Sequence, residues 1–169
     1  LGAFTAAGAI LMSPGQPTRI QVSPIEVSGM RAQGELTSMP GGFEGSLALS
    51  GAGVAGSLRF DPVGDIQRIV VDINGRRVRL AGPPPIAAGR LSVNATLMLD
   101  PAGLGVEARV RAIGLRRGSL ALSSLTADMS MKGGSGTVNA ALVGQRGRAF
   151  DVKLAAQVAP DRISLTGSG

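Results

Sequence analysis

From Arg90 to Leu99 apolar and polar residues alternate, with Met98 the one exception. Leu91, Val93, Ala95, Leu97 and Leu99 point one way, and Arg90, Ser92, Asn94, Thr96 and Met98 point the other. Period two is the signature of a strand with one covered face. The same period predicts strands along most of the chain. Ile66 to Leu80 reads as a hairpin about Asn74-Gly75, because a type I′ turn needs positive φ at both central residues and this dipeptide tolerates it best. Such a loop would set Ile73 opposite Arg76, Asp72 opposite Arg77 and Val71 opposite Val78. Ile69, Val71, Ile73, Val78 and Leu80 would then share an apolar face, with an Asp72–Arg77 ion pair on the other.

The rest of the chain repeats the theme. Leu1 to Met12 reads weakly as strand or edge, and the alternation after Thr18 is broken at Pro24, which predicts an edge or a break there. A short opening recurs as Gly45-Ser-Leu-Ala-Leu, Gly56-Ser-Leu-Arg-Phe, Gly89-Arg-Leu-Ser-Val, Gly118-Ser-Leu-Ala-Leu and Gly136-Thr-Val-Asn-Ala. Its irregular spacing argues against a fixed-period solenoid. After the turn Asp100-Pro-Ala-Gly come Val106, Ala108, Val110 and Ala112, then Leu125, Ala127, Met129 and Met131, then Val138, Ala140 and Leu142. Phe150, Val152, Leu154, Ala156 and Val158 follow, and Ile163 and Leu165 belong to the last strand. About eleven or twelve short strands with no helix are expected. Pro83-Pro84-Pro85 is the one stiff break, placing a kink or crossover over residues 83–88 of a single unit covering 1–169.

Composition narrows the chemistry. Apolar residues make up 44% of the 169, but the only aromatics are 4 Phe, which leaves no Trp or Tyr for membrane belts or base stacking. With 0 Cys and 0 His, disulfides, thiolate or imidazole metal sites and the commonest general base are all excluded. The net charge of +6 is almost all arginine. Spread along many strands without interleaved aromatics, these arginines suit a solvated face or an anionic partner better than nucleic acid.

Apparent motifs have ordinary explanations. Gly51-Ala-Gly-Val-Ala-Gly56 matches a dinucleotide fingerprint, but Ser57-Leu-Arg-Phe continues as strand where a helix is required, so the stretch reads as a Gly-rich turn. Asp61, Asp65 and Asp72 lack the dense spacing of a calcium loop. Asn94-Ala-Thr96 is a glycosylation pattern placed mid-strand, and the serines have no His and only Lys132 and Lys153 as lysine bases. No catalytic residue, metal or cofactor is expected.

A half-apolar sheet without helices can pack on a second sheet, close into a barrel or leave an open greasy channel. A membrane barrel is the weakest of these, because the expected strands are short and aromatic girdles are absent.

Gly89-Arg-Leu-Ser-Val-Asn-Ala-Thr-Leu-Met-Leu-Asp, the Gly118-Ser-Leu-Ala-Leu stretch and the closing Asp161-Arg-Ile-Ser-Leu-Thr-Gly-Ser-Gly resemble segments of the bacterial AsmA-like repeating β-groove family, the group including TamB and YdbH. The alphaproteobacterial YdbH type is the nearest in style. The resemblance covers Gly42 to Gly169 and contains no invariant catalytic or ligand motif. It implies an all-β fold: a long, twisted antiparallel meander forming an open U-shaped groove with an aliphatic concave face. It also implies a Gram-negative periplasmic setting, with an inner-membrane anchor elsewhere in a longer protein. Phospholipid acyl chains would travel along the groove between inner and outer membranes. Further partners would be the rest of the same chain through edge strands, and inner- and outer-membrane envelope proteins. Nucleic acid is not among them.

On that reading the groove is lined by Leu47, Leu49, Leu58, Phe60, Ile69, Val71, Val78, Leu80, Leu91, Val93, Leu97 and Leu99, then by Val106, Val110, Leu120, Leu122, Met129, Val138, Leu142, Val152 and Leu154. The competing reading is a structural or adhesive β-sandwich, or a segment assisting outer-membrane protein assembly, in which the same residues form a dry core.

Overall fold

The computed structural model describes residues 4–5, 8–11, 17–27 and 29–169. Among these there is no helix. The strands are β1 (Phe4–Thr5), β2 (Gly8–Leu11), β3 (Arg19–Val27), β4 (Met30–Met39), β5 (Gly42–Gly51), β6 (Val54–Val63), β7 (Ile66–Leu80), β8 (Ile86–Asp100), β9 (Gly103–Arg117), β10 (Leu120–Lys132), β11 (Ser135–Arg146), β12 (Arg148–Ala159) and β13 (Arg162–Ser168). From β3 to β13 each strand pairs with the next, antiparallel, in one open sheet, while β1 and β2 share the outer edge of β3. Among the described residues no second sheet packs on it and it does not close. The sandwich and barrel alternatives are therefore not what the described residues form, and the open meander is.

The central strands β7, β8 and β9 each run for 15 residues, longer than expected, so short strands are no argument against a barrel. What excludes one here is the open edge. The eleven meander strands span ten spacings of about 4.8 Å, or roughly 48 Å across the sheet.

The hairpin expected at Asn74-Gly75 is absent. Both residues lie inside β7, where Asn74 pairs with Ala55 and Ser92, and Gly75 with Val54 and Leu91. The tight reversal stands instead at Ala52-Gly53 between β5 and β6, where φ is 51° at Ala52 and 80° at Gly53. Positive φ at both central residues is the type I′ requirement. The turn carbonyls are also used: Gly53 O accepts from Arg76 N and Ala52 O from Arg79 N, each at 2.9 Å. These contacts occupy amides of β7 beyond its last pair with β6, so continuing as a strand satisfies the backbone that a turn at Asn74-Gly75 would have had to satisfy locally. Asp72 does not meet Arg77; it faces Ser57 and Asn94 and accepts a hydrogen bond from Asn74 Nδ2 at 2.8 Å.

The prolines at 83–85 lie in the reversal joining β7 to β8, which are direct neighbours, so there is no crossover at 83–88. Pro24 sits where the β3–β4 register shifts between Val22 and Ile25, the break expected of a residue with no amide to donate. Asp100 Oδ1 accepts from Ala102 N at 2.8 Å, shaping the β8–β9 turn. Of the recurrent glycine openings only Gly118 is in a turn; Gly45, Gly56, Gly89 and Gly136 stand inside strands.

Candidate functional site: an uncovered aliphatic face

Directly opposed residues share a face, so register turns the strand pattern into rows running across the sheet. One row is Phe60, Ile69, Leu97, Val106, Met131, Gly136, Val158 and Ile163. The next is Leu47, Leu58, Val71, Ala95, Ala108, Met129, Val138, Ala156 and Leu165. A third carries Leu49, Ile73, Val93, Val110 and Leu154, and a fourth Val54, Leu91, Ala112, Leu125, Leu142 and Val152. Leu99 faces Leu104 at one end of this surface; at the other, Val78 faces Ala88 and Leu80 faces Ile86. Leu120 and Leu122 follow on β10, where Leu122 faces Leu115. Every residue expected to line a groove thus lies on one face.

Alternation alone cannot produce this. Along β7 the inward residues are odd-numbered to Gly75 and even-numbered from Val78, and β8, β9 and β10 change parity likewise. The changes fall at Arg77, Gly89, Gly114 and Ser123, whose numbering places them opposite one another where the regular pairs are interrupted. Arg77 has φ of 51° and Gly114 of 64°; Ser123 is the bulge between Leu122 and Ser124, with Oγ donating to Val143 O at 3.0 Å. One irregular residue per strand resets the pleat, so apolar side chains on both sides of the line stay on one face. Val54, Val78 and Ala88 form a buried cluster against it, packed by Met30, Ile73, Leu80, Leu91 and Leu115.

The sheet bends toward this face. A Cβ added to Gly56 would stand 2.1 Å from Asp72 O, and one on Gly136 2.0 Å from Ser130 O. Only glycine permits so close an approach by the neighbouring backbone on the aliphatic side. Gly34, Gly45 and Gly144 meet adjacent strands in the same way. At one rim Gln67, the single buried polar residue among those described, accepts from Phe43 N at 2.5 Å and donates to Arg68 O at 2.9 Å. It draws the β4–β5 turn over β6.

Even so, little of the face is covered. The buried hydrophobics are Leu36, Leu47, Val54, Val78, Ala88, Ala112 and Leu122. Leu97, Val106, Val110, Met129, Val138, Leu142 and Leu154 are only half-buried, and Ile163 on the edge strand β13 is 72% exposed. Sequence reasoning missed Val54 and Ala88 as lining residues because each stands beside glycine and next to an alanine, Ala55 or Ala87, so no alternation marks which of the two faces inward. It also missed Gln67, because no pattern distinguishes a pinned amide from a solvated one.

The opposite face is polar, and part of its charge is paired. A depression of about 430 Å³ there is bounded by Asp72, Asn94, Thr96, Glu107, Arg109 and Asp128. Arg109 Nε donates to Asp128, and this hydrogen bond, with the carboxylate's charge, raises the Arg109 guanidinium above its ordinary value. Ser130 Oγ donates to Glu107, and Arg68 pairs with Asp61. Among the described residues no group of three or more Asp, Glu, His or Cys comes together. Comparison with protein-family models, curated proteins and solved structures found no match to this chain.

Proposed function

We propose that this chain is a length of a bridge-like conduit along which phospholipid acyl chains move between the inner and outer membranes of a Gram-negative envelope. The observation that carries this reading is the aliphatic face itself. Its rows continue from strand to strand across the meander, bend inward, and have no cover among the described residues. Exposed apolar surface on that scale needs an occupant. Acyl chains suit it because the lining is aliphatic, non-directional and nearly free of polar groups. Covering a half-buried Leu or Val adds part of the roughly 1.5–3 kcal/mol that full burial of such a side chain supplies. A dry-core sandwich would need a second sheet over the same rows, and none is present among the described residues.

Function on this reading is distributed along a surface and needs no catalytic group. The exposed edge of β13 offers unpaired backbone to further strands of the same protein, with an inner-membrane anchor and envelope partners outside this stretch. Native mass spectrometry of the purified chain tests the proposal. Bound phospholipid is expected, and a lipid-free chain from a phospholipid-rich source overturns it.

A further inference from the structure

The aliphatic face has two rims, and they differ in charge. At the rim formed by the β9–β10 and β11–β12 turns, Arg117 lies two residues beyond Leu115, Arg146 two beyond Gly144 and Arg148 two before Phe150. Period two places all three at aliphatic-face positions. Arg117 pairs with Ile86 and Leu120, and Arg146 with Arg148. All three are exposed, and none joins any of the ion pairs among the described residues. The carboxylate nearest along these strands, Asp151, is at an opposite-face position. At the other rim the same face ends in Gln67, Leu99, Leu104, Met131, Val158 and Ile163, without a cation at a position on this face; the turns there carry Asp65, Asp100 and Asp161, and Lys132 and Arg162 beside them stand at opposite-face positions.

We propose that this arginine rim holds the phosphate of anionic phospholipid headgroups, so that lipids lie across the groove in one orientation with heads at Arg117, Arg146 and Arg148. The inference rests on the conduit reading and adds a site and a selectivity to it. A guanidinium donates a planar fork of N–H groups that matches phosphate oxygens, and the far rim offers no such group on the aliphatic face. Acyl chains running from that rim would meet Leu115, Leu122 and Phe150 first, then Leu125, Leu142 and Val152. Two unpaired arginines facing each other across Gly147 repel, and a bound phosphate relieves that repulsion.

The test compares two triple variants of the whole chain with equal charge change. R117E/R146E/R148E alters the rim, while R76E/R90E/R111E alters the polar face, where these arginines border a depression of about 750 Å³. Retention of phosphatidylglycerol and of phosphatidylcholine is measured by native mass spectrometry from mixed micelles, with far-ultraviolet circular dichroism to verify folding. The rim variant is expected to lose phosphatidylglycerol about tenfold and phosphatidylcholine, whose phosphate is offset by its own ammonium group, by much less, and the polar-face variant to keep both. Equal losses from both triples would mean general surface attraction and overturn the site. Displacement of the lipid by inorganic phosphate alone would also overturn it, by making the tails irrelevant. If the rim triple is misfolded, R117Q/R146Q/R148Q replaces it with the same expectation. If the parent retains neither lipid, the conduit reading falls and takes the rim with it. If it retains both lipids and the variants do not discriminate, only the rim falls.

Discussion

Two stretches of the same strands behave differently. Where β7 to β10 run as regular ladders, from Ile69 to Ile73 and from Val93 to Leu97 with their β9 partners, the aliphatic side chains stay half-buried. Across the line of Arg77, Gly89, Gly114 and Ser123, the same strands bury Val78, Ala88 and Leu122. Regular pleating in an open sheet gives each side chain neighbours on its own face but nothing above it. The irregular line bends the strands and brings the β5–β6 turn over them, so residues from successive rows close on one another. The fold thus anchors itself along one line and keeps the rest of its apolar face available.

The largest expected effect exploits that contrast. Val78→Asp places an unpaired carboxylate at a site 1% exposed and should cost roughly 4 kcal/mol, enough to abolish a cooperative thermal transition. Leu97→Asp, on the open ladder, should cost only about 1 kcal/mol and remain folded, yet lose co-purifying phospholipid, with Thr96→Asp on the polar face unchanged in both. Equal melting losses for Val78 and Leu97 would erase the distinction between anchored and open regions.

Glycine substitutions come next. Gly136→Val should lower stability by about 2 kcal/mol, because its Cβ position lies 2.0 Å from a backbone carbonyl that cannot retreat. Gly75→Ala should cost about 1 kcal/mol for a different reason, since the new methyl meets Val78 Cγ2 at 2.4 Å. Most of that cost should vanish in a Val78→Ala background, and denaturant titrations of the four proteins in this cycle measure the coupling. Additive losses would mean that Val78 does not close over Gly75. On the line itself, Gly114→Ala at φ of 64° should cost about 1 kcal/mol, and Gly89→Ala, with no positive φ, less.

The smallest effect concerns the polar face. The exposed Arg109–Asp128 pair should contribute less than any of these changes, and Arg109→Gln should shift the melting temperature still less in about 1 M salt, where screening acts within about 3 Å. A raised arginine value contributes fully at lower pH and is lost only when pH rises through the arginine's own range. With no histidine in the chain, stability should therefore be flat between about pH 6 and 8. A slope measured by thermal unfolding in that interval would point to a titrating group that this face does not reveal.

Sequence alone determined the strand class, the absence of disulfides and of histidine chemistry, and which side of most strands is apolar, because period two is a local property that survives any register. It found the glycine-rich turn at 51–56 but added a hairpin at Asn74-Gly75, whose local preference is strong, whereas Ala52-Gly53 also has a use for its carbonyls that exists only once β7 passes beneath it. Tertiary structure alone decided that the sheet stays open and that Ile69 and Val78 share a face through a bulge rather than a hairpin. It also aligned four irregular residues 9 to 25 positions apart into one bend. The physical reason is that pairing couples each strand's parity to its neighbour's, so one displaced residue in β7 obliges a matching one in β8, β9 and β10, and no local window of sequence contains that constraint.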